Sequence, residues 1–204
     1  MRHSHDLRKT CVTVAAAPMF LLGSAALAAN EGQEATAGGW YLGAGAGRTH
    51  LIATSWGTHF LSSGDVQAER NSTAKVFLGY QFRAPVAFEV THTWCGAVRA
   101  FSDGPAGPSE VFDIRAWTFQ GVGTFLKVGN AAFQARMGGL AWRAFPKEDG
   151  NQGLGIAAGM NLKYDIGKNV AVRADFDVYR TLLEWSDFHW GANVVSVSII
   201  GSFR

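Results

Sequence analysis

The sequence predicts an all-β protein: an eight-stranded antiparallel transmembrane β-barrel with short periplasmic turns and four longer extracellular loops. Three observations carry this reading. Residues 193–203 read NVVSVSIIGSF, with Val195, Val197, Ile199 and Phe203 on one face and Ser196, Ser198 and Ser202 on the other. That is period-2 alternation over about one membrane crossing, closing on an aromatic. A secretion signal stands at the opposite end of the chain. Between the two, alternating segments are joined by connections that are short and long in turn.

The signal comes first. Arg2, Arg8 and Lys9 form a positive region, residues 11–22 (CVTVAAAPMFLL) an apolar one, and Ala26-Leu27-Ala28 offers the small residues a signal peptidase reads. The apolar stretch is too short and wrongly flanked for a transmembrane helix. Residues 1–28 are therefore expected to be removed, leaving a short segment over 29–38 and the barrel over 39–204. No Cys follows the apolar stretch, so a lipid anchor is not expected. Of the 18 basic and 16 acidic residues, 15 of each remain after removal, which gives no support to nucleic-acid binding. Cys95 is then the one remaining cysteine, and no internal disulfide can form.

Eight segments alternate. The first starts at Gly39, with Trp40, Leu42, Ala44 and Ala46 opposite Tyr41 and three glycines. The second, 72–82, puts Val76, Leu78, Tyr80 and Phe82 on one face. The third, 86–98, sets Phe88, Val90 and Trp94 against Glu89, Thr91 and Thr93. The fourth, 112–126, sets Trp117, Phe119 and Phe125 against Thr118, Gln120 and Thr124. The fifth, 131–144, sets Phe133, Ala135 and Met137 against Gln134 and Arg136. The sixth, 154–166, carries Ile156, Ala158, Met160, Leu162 and Tyr164 opposite Asn161 and Lys163. The seventh, 170–180, carries Val170, Val172, Ala174, Phe176 and Val178 opposite Arg173, Asp175 and Asp177. The eighth is 193–203.

Connections at 83–85, 127–130 and 167–169 are short; those at 53–71, 99–111, 145–153 and 181–192 are long. Sorting by length is the outer-membrane pattern, with the short turns periplasmic. A soluble β-sandwich shares the composition but has no reason to sort its loops. Aromatic placement agrees. Trp40, Phe82, Phe88, Phe125, Phe133, Tyr164 and Phe203 lie near periplasmic strand ends and point outward, and Trp94 and Trp117 lie outward near the other rim. Such girdles belong at membrane interfaces.

An eight-stranded barrel is just wide enough to be filled by side chains. Parity puts Glu89, Arg136, Lys163, Arg173, Asp175 and Asp177 inside. Glu89, Lys163 and Arg173 each stand three residues from a periplasmic turn, about 8 Å above that rim at ~3.3 Å per residue and a tilt near 40°. One carboxylate and two cations at one level can pair. They either fill the lumen or form a gate, in which Glu89 would exchange between Lys163 and Arg173.

The stretches GGWYLGAGAG, LGYQFRAPVAFEV, ARMGGLAWRA, KYDIGKNVAVRADF and SVSIIGSF resemble the transmembrane domain of the outer membrane protein A family. The resemblance spans essentially the whole chain after the signal. It implies an eight-stranded barrel with four mobile surface loops, in a family implicated in envelope integrity, adhesion, phage attachment and low-conductance pores. It also implies that Glu89 matches the family's interior glutamate, Arg136 its interior arginine and Arg173 its gate arginine. Lys163 stands where the family has a glutamate, and Gly45 and Val122 stand near the family's interior lysines. The periplasmic peptidoglycan-binding domain of larger members is not expected here.

Three functions follow from this picture. A structural and surface-interaction barrel acting through its loops is the first. A low-conductance pore gated by Glu89 with Lys163 and Arg173 is the alternative. An outer-leaflet lipid A-modifying enzyme is the third. It needs a nucleophile, a His and a carboxylate within reach, and His92 points outward while Glu89 points inward. The chain is read as a non-enzyme without cofactor or catalytic residues. His50 and His189, on strands that meet when the barrel closes, are a weak metal pair, and no metal site is expected. Cys95 is expected to pack inward. Lys75 and Arg48 are expected near the outer rim, in reach of lipopolysaccharide phosphates. Expected partners are outer-membrane lipid and lipopolysaccharide, the barrel-assembly machinery through the terminal strand, and a host or phage ligand at the loops. The protein is expected to be a monomer.

Overall fold

The computed structural model describes residues 38–55, 70–83, 85–100, 110–145, 152–184 and 188–203. The expected signal peptide and almost all of the segment after it lie outside the described residues. Eight strands follow in order: β1 (Gly39–Ser55), β2 (Arg70–Arg83), β3 (Val86–Ala100), β4 (Glu110–Val128), β5 (Ala131–Phe145), β6 (Gln152–Asp165), β7 (Val170–Glu184) and β8 (Phe188–Phe203). Each pairs antiparallel with the next, and β1 pairs with β8, closing the barrel. Closure satisfies every strand edge, which a sheet in hydrocarbon requires.

Strand parity matches the alternation in the sequence. Leu42, Val76, Leu78, Phe119, Met137, Met160, Leu162 and Phe176 all face outward and are exposed, as apolar side chains are when lipid covers them. All eight strands run farther toward the extracellular side than the alternation indicates, β3 by two residues to Ala100. Beyond the bilayer both faces are polar or mixed, so the period-2 signal fades while the hydrogen-bonded ladder continues. The connection expected at 181–192 is shortened by this to residues 185–187, and that at 145–153 to residues 146–151. The connections at 56–69 and 101–109 remain long.

The glycine-rich start of β1 has a packing cause. Gly43 faces Phe77 in register and Tyr41 faces Gly79. A Cβ on Gly43 would sit inside the Phe77 ring, and one on Gly79 inside the Tyr41 ring. Each glycine thus makes the room in which the opposing aromatic lies flat across the lumen wall. The two rings meet edge to face at 6.4 Å.

A β-bulge interrupts the β3–β4 register between Trp94 and Gly96, and Gly96 adopts φ +90°. An L-residue is strained there, and a Cβ would also collide with Asn71. Gly96→Ala is expected to destabilise the barrel by about 1–3 kcal/mol. Urea unfolding of the refolded protein, followed by the electrophoretic shift of the intact barrel, checks this; an unchanged midpoint would remove the bulge from the list of constraints.

Candidate functional site: the barrel lumen

Six charged side chains from four strands meet in the lumen. They are Lys75 (β2), Glu89 (β3), Arg136 (β5), and Arg173, Asp175 and Asp177 (β7). All are at most 3% exposed. Three are cationic and three anionic, so the layer is formally neutral.

Glu89 is the hub. Arg173 grips it with two nitrogens, Nη1 to Oε2 at 2.6 Å and Nη2 to Oε1 at 3.1 Å. Arg136 Nη1 donates to Oε1 at 3.2 Å, Thr91 Oγ1 to Oε1 at 3.1 Å and Tyr41 Oη to Oε2 at 3.2 Å. Arg136 and Arg173 reach onward to Asp175 Oδ1, at 3.0 and 2.9 Å, and Arg136 also pairs with Asp177. Lys75 Nζ lies 2.6 Å from Asp175 Oδ2 and 3.6 Å from Asp177 Oδ2. Ser198 donates to Asp175 at 3.2 Å. Phe77 underlies the layer, with the Arg173 guanidinium 4.0 Å from its ring centre. Every charge in the layer therefore has at least one opposite charge in contact. Burial without such pairing would cost several kcal/mol per ion.

Two expectations about this layer change. Lys163 does not join it. Its ammonium pairs with Asp165 at 2.9 Å, with both side chains partly exposed at the periplasmic mouth. Lys163 and Arg173 are register partners, but a flexible ammonium reaches water and a nearby carboxylate more cheaply than it can displace a bidentate guanidinium. Lys75 moves the other way. It is not at the outer rim in reach of phosphates but inside, 1% exposed. The signal was in the sequence: Lys75 has the parity of Phe77 and Gly79, opposite to Val76 and Leu78.

Above the charges the lumen is mainly apolar, with the buried hydroxyls of Thr49 and Thr93 at its wall. Leu51, Cys95, Ile114, Leu140, Trp142, Tyr179 and Val194 form one buried cluster in its extracellular half. Tyr179 Oη meets Thr93 Oγ1 at 3.3 Å, tying the apolar cluster to the wall. The expectation of a polar interior holds for the central layer and not for this half. Below the charges, a periplasmic vestibule of about 400 Å³ opens between the turns. Its lining includes Lys127, Lys163, Asp165 and Lys168, and it reaches Arg173.

The outward aromatics lie where their parity puts them. Trp40, Phe82, Phe88, Phe125, Phe133, Tyr164 and Phe203 are exposed toward the periplasmic end, and Trp117 toward the other. Trp94 is half-buried, and the His92 ring sits between Trp94 and Trp117 at 4.4 and 4.3 Å. Val195, Val197 and Ile199 of the terminal strand are exposed on the outer wall. Cys95 is fully buried and inward. Strands β1 and β8 do adjoin, but His50 pairs with Asn193 while His189 pairs with Thr54. Four residues of offset, about 13 Å along a strand, are too many for a shared metal ion. Among the described residues, no group of three His, Cys, Asp or Glu side chains is placed to hold one.

A closed eight-stranded barrel with an apolar outer wall and a charge-paired lumen defines a bacterial outer-membrane protein. The profile of the OmpA-like transmembrane domain matches residues 35–199, and the chain belongs to that family. A search of curated protein sequences gave no match. Among solved structures, Neisserial surface protein A superimposes with a TM-score of 0.56 at 15% identity, covering 84% of this chain and all of the other. Ail of Yersinia pestis, solved with the heparin analogue sucrose octasulfate, gives 0.50 at 12% identity over 81% of this chain and 99% of its own. The β-barrel domain of Pseudomonas aeruginosa OprF gives 0.50 at 10% over 83% and 100%. At these identities the likeness is one of fold.

Proposed function

We propose that this protein is a non-conducting barrel whose lumen is a filled core and whose extracellular connections make its contacts. The observation that supports this best is the pair of stacked layers in the lumen. An ion entering from the vestibule would meet the paired charges first. It would then meet a cluster of apolar side chains, and apolar constrictions exclude water. Rearranging the charges alone leaves the second layer in place.

The pore reading asks Glu89 to exchange between Lys163 and Arg173. Lys163 is engaged by Asp165 outside the charged layer, and the second cation on Glu89 is Arg136. Any gate would have to run between two arginines and still displace the apolar cluster. Lipid A chemistry is not favoured, because His92 stands on the lipid face between two indoles, with the barrel wall between it and Glu89. The terminal strand, with Phe203 at its end, is the segment offered to the barrel-assembly machinery, and the barrel acts as a monomer.

The connections suggest a ligand class. Residues 56–69, 101–109, 146–151 and 185–187 contain Asp65, Glu69, Asp103, Glu148, Asp149 and Asp187 against one cation, Lys147. Ail was solved with a polyanion; acidic connections here favour a cationic or apolar protein surface instead. Replacing 56–69 and 101–109 by short turns, and measuring capture of the refolded protein on immobilised cationic protein and on heparin, tests this. The expected result is capture on the cationic surface that weakens at least about tenfold on shortening, as loss of a few charged contacts implies. Equal capture by shortened and intact barrels would sink the loop reading.

A further inference from the structure

Outside the lumen, the most unusual charged feature lies on the outer wall where β4 meets β5. On β4 the outward side chains Phe119 and Trp117 are apolar, and the next outward residue is Arg115. On β5 the outward run Phe133, Ala135, Met137, Gly139, Ala141 is followed by Arg143. Both arginines therefore stand at the first charged position above the lipid-facing band, on its extracellular side. They are direct partners across the strand pair. Each guanidinium carbon lies 4.8 Å from the centre of the same Phe145 ring.

Two like charges directly opposite on neighbouring strands repel. One carboxylate, Asp113, meets Arg115 Nε at 3.0 Å, with both side chains well exposed. Among the described residues no carboxylate comes within ion-pair distance of Arg143. The pair thus carries an excess positive charge at the depth of the outer-leaflet head groups. Two other strands put a cation at the same boundary: Arg48 ends the outward run of β1 and Arg180 that of β7. Arg180, however, is already committed to Tyr179 O at 2.7 Å and Asn193 Oδ1 at 3.3 Å.

We infer that Arg115 and Arg143 form a clamp for a phosphate group on a glycolipid of the outer leaflet. A phosphate monoester supplies up to two negative charges and oxygens spaced for guanidinium forks. Phe145 holds the two forks by cation–π contact. Trp94, register partner of Arg115, and Trp117, two residues below it, offer flat surfaces for the sugar and the head of the acyl chains. The clamp fixes which side of the barrel carries a tightly held lipid, and so gives a closed monomeric barrel a defined annular neighbour.

The test is a titration of the refolded barrel in detergent micelles with bisphosphorylated lipid A, read as lipid retained by native mass spectrometry. Arg115→Gln/Arg143→Gln is expected to weaken retention at least about tenfold, as loss of a charge-assisted contact implies. The double lysine variant, which keeps charge without the forks, is expected to fall between. Arg180→Gln is expected to stay near wild type. Dephosphorylated lipid A should bind as weakly as the double glutamine variant binds the intact lipid, and millimolar inorganic phosphate should not displace lipid A. All three replaced side chains, Arg115, Arg143 and Arg180, are exposed, and the electrophoretic shift of the folded barrel reports that each variant folds. Wild-type retention by the double glutamine variant, equal retention of dephosphorylated lipid A, or displacement by inorganic phosphate would each overturn the clamp.

Discussion

Glu89→Ala is expected to destabilise the folded barrel by about 3–5 kcal/mol, the cost of leaving buried charges unpaired when one partner is removed. Five donors converge on this carboxylate, from Arg173 twice, Arg136, Thr91 and Tyr41. Without it the layer holds three cations against Asp175 and Asp177, in a region at most 3% exposed. Urea midpoints of refolded protein in lipid vesicles measure the effect. The same loss should not recur when Glu89→Gln is combined with Arg173→Met, because that change removes charge of both signs and leaves Arg136 and Lys75 with Asp175 and Asp177. A double variant that loses as much as the sum of the two single variants would mean the network has no internal coupling.

The second large effect belongs to the apolar layer. Trp142→Ala should cost about 3–5 kcal/mol, since it empties a large volume in a close-packed cluster. It should also open a route to Cys95. That thiol is fully buried in the same cluster as Trp142. A water-soluble maleimide added outside is expected to leave native wild-type protein unlabelled and to label Cys95 in folded Trp142→Ala. Labelling of both at the same rate would mean that the extracellular half of the lumen is already open to water.

Much of this architecture is legible in residue order. Side-chain parity in Val170–Val178 or in Val195–Phe203 fixes which face is outside, because a one-residue slip would carry every charge into lipid. The same parity assigns Glu89, Arg136, Arg173, Asp175 and Asp177 to the interior. It assigns Lys75 there as well, but nearness to the expected start of its segment at residue 72 draws that residue to the rim. What order does not encode is how far a side chain reaches once inside. Lys163 and Arg173 share a level and a register, yet their head groups part, the ammonium toward Asp165 and the guanidinium toward Glu89. The apolar half is harder still to read. Ile114, Leu140, Trp142 and Val194 have inward parity, but apolar residues there look like the outer wall unless the closed barrel brings them together. Strand ends are the other blind spot, since the ladders of β7 and β8 run past the bilayer to Glu184 and from Phe188, where alternation no longer marks them.

Planar-bilayer recording of the refolded barrel, wild type beside Glu89→Ala, tests the filled lumen most directly. Neither protein should show discrete current steps, because the apolar layer stays closed when the charged layer is disturbed. Steps in the wild type whose size or frequency changes with Glu89→Ala would contradict a filled lumen and establish a gated pore.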